Sequence, residues 1–220
     1  MKRARGQEQK EVRRREILAT AEALFRDQSF AETTMAEVAA RAGLSKGAVY
    51  LYFETKEQLF LAMLVGELAA WLDAVDARLE TGTIRRPEAA ARLFAASLAE
   101  RPTLTKLLSL MDGVLERNID EDTALAWKRF LAARLQRTGA LLEALLPALR
   151  PGGGVRLLLQ MHALVIGLRQ MSDPAPVMKR LADEPDLALF QIDFERELTA
   201  ALTALLRAPE RALRGEREAT

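Results

Sequence analysis

The 220-residue sequence contains no cysteine and a single histidine, His162. These absences exclude a disulfide framework, a thiol nucleophile and a cysteine-based zinc site, and they leave His162 without a second soft ligand for a metal. No Gly-rich phosphate loop and no GxSxG elbow occurs, so nucleotide-dependent and hydrolase chemistry lack a sequence basis. Carboxylate pairs such as Glu121-Asp122 fit the start of a helix, where they meet the positive end of its dipole. The expectation is therefore no catalytic residue, no metal and no cofactor. The most apolar stretch, residues 155–171, is short for a membrane span and carries Arg156, Gln160, His162 and Arg169. No apolar run follows the basic start, so a secretory leader is not expected, and the reading is a cytosolic protein without a membrane partner.

Aromatics make up only 5% of the chain, and formal net charge is only +1. What is abundant is Ala, Leu, Arg and Glu, all of which favour helix, and no strand-like alternation appears. The charge is unevenly spread: residues 1–15 hold seven Lys or Arg (Lys2, Arg3, Arg5, Lys10, Arg13, Arg14, Arg15) against Glu8 and Glu11. Such an arm is attracted to polyphosphate by counterion release, although a lone basic tail is as often simply solvated. About nine helices can be drawn, at roughly 11–28, 34–43, 46–51, 56–79, 87–100, 102–117, 121–146, 155–171 and 186–206. A proline-bearing loop (Pro174, Pro176, Pro185) precedes the last of these. Residues 155–171 are apolar nearly all round, which requires cover on more than one side. The last helix carries one stripe through Phe190, Phe194, Leu198, Leu202 and Leu205.

The informative stretch is TMAEVAARAGLSKGAVYLYFETK, residues 34–56. It reads as a short helix, a turn containing Gly43, and a second short helix opened by Ser45, which is the helix-turn-helix layout. Val38, Ala39, Leu44 and Val49 fall where the two helices would share a core. Ser45, Lys46, Gly47, Ala48 and Tyr50 then face a groove: Lys46 offers a mobile cation, Gly47 and Ala48 allow close approach, and the Ala48 methyl can meet a thymine methyl. Tyr50 and Tyr52 offer phenolic donors suited to phosphate oxygens. Lys56, at the start of the long fourth helix, adds a cation beside free backbone N–H groups.

In order and spacing, Ala21-x-x-Leu24-Phe25, Phe30, Thr33-Thr34, Ala36, Val38-Ala39, residues 42–50 (AGLSKGAVY), Tyr52-Phe53 and Lys56-x-x-Leu59 resemble the N-terminal domain of the TetR (tetracycline-repressor-like) transcriptional regulators, over about residues 12–62. Many members carry His where Tyr52 stands, and Tyr keeps a hydrogen-bonding ring there. The resemblance implies an all-α protein with an N-terminal three-helix helix-turn-helix domain and a C-terminal helical domain for ligand binding and dimerisation. The implied division is a disordered basic arm at 1–10, a DNA-binding domain at 11–55, a ligand-binding and dimerisation domain at 56–207, and a frayed tail at 208–220. It implies that Thr33, Thr34, Ser45, Lys46, Gly47, Ala48, Tyr50, Tyr52 and Lys56 contact double-stranded DNA.

It further implies a homodimer through helices at about 155–171 and 186–206, reading a near-palindrome. A small apolar or aromatic effector would tilt the fourth helix and release the DNA. Large or polar groups on apolar helices make Trp71, Phe94, Met111, Leu115, Trp127, Phe130, His162 and Arg169 the candidate effector pocket, though for any one of them simple packing is the commoner role. Two alternatives stay open: a helical small-molecule-binding protein without DNA function, and a DNA regulator without a small-molecule effector. Deleting residues 1–10 is expected to weaken DNA binding and flatten its dependence on salt. Titration of a duplex between 50 and roughly 200 mM salt measures this, and an unchanged slope rejects a phosphate-contacting arm.

Overall fold

The computed structural model describes residues 2–181 and 184–218. Among them lie ten α-helices and no strand: α1 (Lys2–Asp27), α2 (Met35–Arg41), α3 (Lys46–Tyr50), α4 (Lys56–Glu80), α5 (Pro87–Ala99), α6 (Pro102–Leu110), α7 (Glu121–Leu145), α8 (Gly153–Ser172), α9 (Pro176–Leu181) and α10 (Phe194–Glu218). A π turn, Met111–Leu115, follows α6, and a 3-10 turn, Pro185–Phe190, precedes α10. The chain is all-α, as expected. The helix additional to the nine expected is α9, which forms inside the proline-bearing loop because Pro176 sits in its first turn, where its missing N–H costs nothing.

The structure departs from the sequence reading at both ends. Residues 2–10, expected as a disordered arm, continue α1, and residues 208–218, expected to fray, continue α10. Polarity suggested disorder in both, but Arg, Lys, Glu, Gln and Ala are good helix formers that extend a helix already nucleated. Met1 and the last two residues of the expected tail lie outside the described residues. The last helix also starts later than 186. Asp193 caps it, its carboxylate accepting from the Arg196 N–H at 2.8 Å and its carbonyl from the Glu197 N–H at 3.0 Å. Phe190, expected on the buried stripe, is 67% exposed in the preceding turn.

Two compact units divide the chain. The first comprises Met1–Glu67 together with Leu110–Ala126, and the second Leu68–Ser109 with Trp127–Thr220. The first unit thus reaches beyond the expected 11–55, because the opening turns of α4 and the segment from the π turn to the start of α7 pack within it. Its core is Ile17, Ala21, Leu24 and Phe25 of α1, Val38 and Ala39 of α2, Val49 of α3, and Leu59, Phe60 and Leu64 of α4, all at most 2% exposed. α4 is long and apolar enough to cross a membrane, but half of its most apolar window is buried in protein, which marks a core helix.

In the second unit Leu72, Val75 and Leu79 continue the buried face of α4. Asp76 lies on the same helix and is 1% exposed. Its carboxylate accepts from the Thr138 hydroxyl at 2.6 Å and pairs with Arg137 at 3.1 Å, while Arg134 reaches Asp73 at 2.7 Å. These contacts join α4 to α7. Leu198, Leu202 and Leu206 of α10, at four-residue steps, are buried in this unit, and Arg207, midway along α10, pairs with Glu88 of α5. At the crossing of α7 and α8 the backbones touch: a Cβ on Gly154 would overlap the Gly139 carbonyl, and one on Gly139 would lie 2.8 Å from the Val155 nitrogen. Glu143 of α7 also accepts from the Gly154 N–H at 2.9 Å. Alanine favours a helix over glycine by about 1 kcal/mol, yet here the helices must separate to admit it. Gly154→Ala is expected to destabilise the protein by about 1–3 kcal/mol, measured as a lower denaturation midpoint; unchanged or higher stability would contradict the close crossing.

Candidate DNA-reading interface

Thr34 is the N-cap of α2, its hydroxyl accepting from the Glu37 N–H at 3.1 Å. At the other end of α2, Gly43 takes φ +67°. The Leu44 N–H then bonds back to the Ala39 carbonyl (2.9 Å) and the Gly43 N–H to that of Ala40 (3.2 Å). This double closure is the Schellman motif, and it sets the angle at which the chain leaves α2. Ser45 caps α3 two residues later by accepting from the Ala48 N–H at 3.2 Å. Val49 points inward and is fully buried, which turns the opposite side of α3 outward.

That outward side holds most of the residues expected to read DNA. Ser45, Lys46, Gly47 and Tyr50 are exposed and Ala48 is half-buried. Nothing lies within 4 Å of where a Gly47 Cβ would stand, so this edge is open to an approaching surface. The Lys46 ammonium lies 5.8 Å from the centre of the Tyr50 ring, a cation on an aromatic face. Tyr52 is half-buried and shares a groove with Lys10, Arg13 and Glu16 of α1. Lys56 lies over the rings of Phe30 (4.1 Å) and Phe60 (6.0 Å), with its ammonium 3.5 Å from the Ala31 carbonyl. The loss of water around it lowers its pKa below the usual lysine value, partly opposed by Glu57.

Thr33 does not join this group. It is 1% exposed, and its hydroxyl donates to the Ser29 carbonyl at 3.0 Å and lies 3.3 Å from the Gln28 side chain. Its role in the structure is to close the loop between α1 and α2. Two cations that the motif reading did not single out accompany the site: Arg13, in the groove beside Tyr52, and Arg14, whose guanidinium lies 5.0 Å from the centre of the Phe53 ring. Their visible mark in the sequence is only membership of the basic run.

Four of the candidate effector residues form two separate aromatic pairs. Trp71 lies 6.1 Å from Phe94, and its indole N–H donates to Ser97 at 3.0 Å. Trp127 stacks on Phe130 at 5.9 Å. Met111 and Leu115 are buried in the π turn of the first unit. His162 is half-buried on α8, and Arg169 pairs with Asp173 at 3.7 Å. A cleft of about 870 Å³ in the second unit is lined instead by Met171, Met178, Leu187, Phe190 and Ile192, among others, and includes none of the eight. Among the described residues no cluster of three His, Asp or Glu could hold a metal.

A capped five-residue helix, set outward on a three-helix core by a left-handed glycine turn, defines the class of helix-turn-helix DNA-binding proteins. Residues 17–63 match the family described as bacterial regulatory proteins, tetR family, and residues 65–208 match the tetracyclin repressor-like C-terminal domain. The chain belongs to the tetR family of transcriptional regulators. Among its relatives, the HTH-type transcriptional regulator YfiR of Bacillus subtilis is 37% identical over 73 residues, covering 33% of this chain and 36% of YfiR. The chain spans between 16% and 36% of the length of the first curated relatives it matches. Among solved structures, SmeT, the repressor of the Stenotrophomonas maltophilia multidrug efflux pump SmeDEF, is 26% identical with a TM-score of 0.51 over 89% of each chain. FadR of Bacillus subtilis, solved in complex with stearoyl-CoA, is 16% identical with a TM-score of 0.55 over 88% of this chain and 97% of FadR, a likeness of fold alone.

The position of Lys56 separates its charge from its packing. Lys56→Met places an apolar side chain of similar length beside Phe30 and removes a desolvated ammonium. With a lowered folded-state pKa, that ammonium is a stability cost at neutral pH that fades as pH rises through the lowered value. The variant is expected to melt no lower than the parent, to bind DNA more weakly, and to reduce the salt slope of binding by about one. Melting curves and a salt titration check this, and an unchanged slope would remove Lys56 from the phosphate contacts.

Proposed function

We propose that the protein is a cytoplasmic transcriptional repressor that binds a near-palindromic operator as a homodimer and is released by a small apolar or aromatic effector. The observation that carries the reading is the outward face of α3: Ser45, Lys46, Gly47 and Tyr50 exposed together, on a helix whose ends are both fixed by hydrogen bonds. Thr34 at the start of α2 and Lys56 at the start of α4 flank that face as phosphate contacts, and Tyr50 and Tyr52 supply phenolic donors. Thr33 is left out because its hydroxyl is occupied.

The dimer reading rests on α8 and α10. α8 buries Leu157, Leu158, Met161 and Val165 in its own unit yet leaves Leu159 53% exposed, and α10 leaves Ala200 and Ala204 outward opposite its buried leucine row. A second copy laid against these faces would cover them, and its two-fold symmetry would be mirrored in an operator with half-sites about 34 Å apart. The repressor reading is supported by the likeness to SmeT. The effector reading is supported by the aromatic pairs Trp71–Phe94 and Trp127–Phe130 in the second unit, with His162 and Arg169 as the polar groups nearest in character to ligand anchors. Because α4 runs from the first unit into the second, an effector that prefers a different tilt of α4 would lower DNA affinity.

Selection of random duplexes by the purified protein tests the reading. The wild type is expected to enrich one palindromic site, and a Lys46→Ala, Tyr50→Ala variant none. Failure of the wild type to enrich any sequence at low salt would overturn DNA reading, and enrichment of an asymmetric site would overturn the dimer.

A further inference from the structure

The first turn of α4 is held twice over. Neighbouring residues cap it: the Thr55 hydroxyl accepts from the Gln58 N–H at 3.1 Å, and the Gln58 side-chain oxygen accepts from the Glu54 N–H at 2.8 Å. A second set of bonds arrives from some sixty residues further along the chain. The Thr55 hydroxyl donates to the Asn118 carbonyl at 3.0 Å, the Asn118 amide donates to Glu57 at 3.2 Å, and the Gln58 amide donates to Asp120 at 2.9 Å. All three land on residues 55–58, at the start of α4. Between them and α3 lies only the tight turn in which the Tyr52 and Phe53 N–H groups both bond to the Val49 carbonyl. The first turn of α4 and the end of α3 are thus separated only by residues 51–55.

Asp120 has a second task. Its other carboxylate oxygen accepts from the Thr123 N–H at 2.8 Å and its carbonyl from the Ala124 N–H at 2.9 Å, so it is the N-cap of α7. One carboxylate thus ties the start of α7 to the start of α4. The loop that carries it lies within residues 65–208, the stretch matching the C-terminal family domain, yet packs with the DNA-reading unit. These bonds are exposed, and exposed polar bonds add little to fold stability; what three of them on one helical turn do is fix its orientation.

We infer that Gln58, Asn118 and Asp120 are positioning residues of the DNA-reading interface, a polar latch through which the start of α7 sets the angle of α3. The inference rests on the DNA-binding reading. Without the latch, phosphate attraction persists while the fit of α3 to its own sequence is lost, so the ratio of operator to scrambled-duplex affinity falls.

The test uses the full chain and the operator obtained by selection. Gln58→Glu keeps the oxygen that accepts from Glu54 but turns the donor facing Asp120 into a carboxylate. Asp120→Asn in that background restores a donor–acceptor pair with polarity reversed, and Asp122→Asn restores only the net charge. The affinity ratio is expected to fall about tenfold in Gln58→Glu, to return to within about twofold of the wild type with Asp120→Asn, and to stay low with Asp122→Asn. Asn118→Ala, which keeps its carbonyl and loses only the bond to Glu57, is expected to lower the ratio with an unchanged melting temperature, which keeps the test open should Gln58→Glu fold poorly. An unchanged ratio in the single variants, or equal rescue by the two asparagines, overturns the latch. A wild type with no preferred duplex overturns the DNA-binding reading itself, and the latch with it.

Discussion

A helix of five residues has too few hydrogen bonds to hold its own shape in water, and α3 is such a helix. Its placement depends on the aromatic contact behind it. Phe60 of α4 is fully buried and meets Phe25 of α1 edge-on at 5.0 Å and Phe30 of the following loop at 4.8 Å. A ring of this size removed from water contributes about 2–3 kcal/mol, and edge-to-face geometry adds direction to that attraction. Three segments are thereby fixed to one another, and the reading helix is strung between two of their neighbours. One of these rings also serves the surface, since Lys56 lies over Phe30, and nearby Arg14 lies over Phe53. In each case the charged head itself faces the ring, a cation on an aromatic face.

The second unit solves a different problem, the mutual orientation of long helices whose apolar faces alone would permit sliding. Asp76 is buried and engages Thr138 and Arg137 at one height of α4 and α7. Buried ion pairs contribute little net stability because desolvation offsets their attraction. Their geometry is demanding, however, and a shifted register would strand the carboxylate. Gly139 and Gly154 act by shape, since only two residues without side chains can meet at the distance found where α7 crosses α8. Polar pairing between α4 and α7, and backbone contact between α7 and α8, together tie α4 to the helix proposed to meet a second subunit.

Much of the reading head was legible because its determinants are local. A hydroxyl three residues before the N–H it caps, a glycine at the left-handed position and alternating apolar steps all act within one or two turns of chain, as at Thr34, Gly43, Ser45 and Val49. What escaped was decided at longer range or by competition between similar neighbours. Thr33 and Thr34 are the same residue type side by side. Which one turns inward is decided by the Ser29 carbonyl and the Gln28 side chain reaching one of them across the loop. The start of the last helix was misplaced because residues 186–190 share its apolar spacing, whereas Asp193 supplies the stronger cap.

The all-helical class, the helix-turn-helix and the chemistry of its exposed face are written in the amino-acid order, since helix propensity, capping and glycine conformations are properties of short segments. Long-range packing sets the rest: residues 110–126 join the reading head, Asn118 and Asp120 bond to the start of α4, and four of the candidate effector residues form two separate aromatic pairs. Those arrangements join groups tens of residues apart. Periodicity shows that a face is buried but carries no information on which other face covers it, and that choice is made by the shape and hydrogen-bonding fit of the whole assembled core.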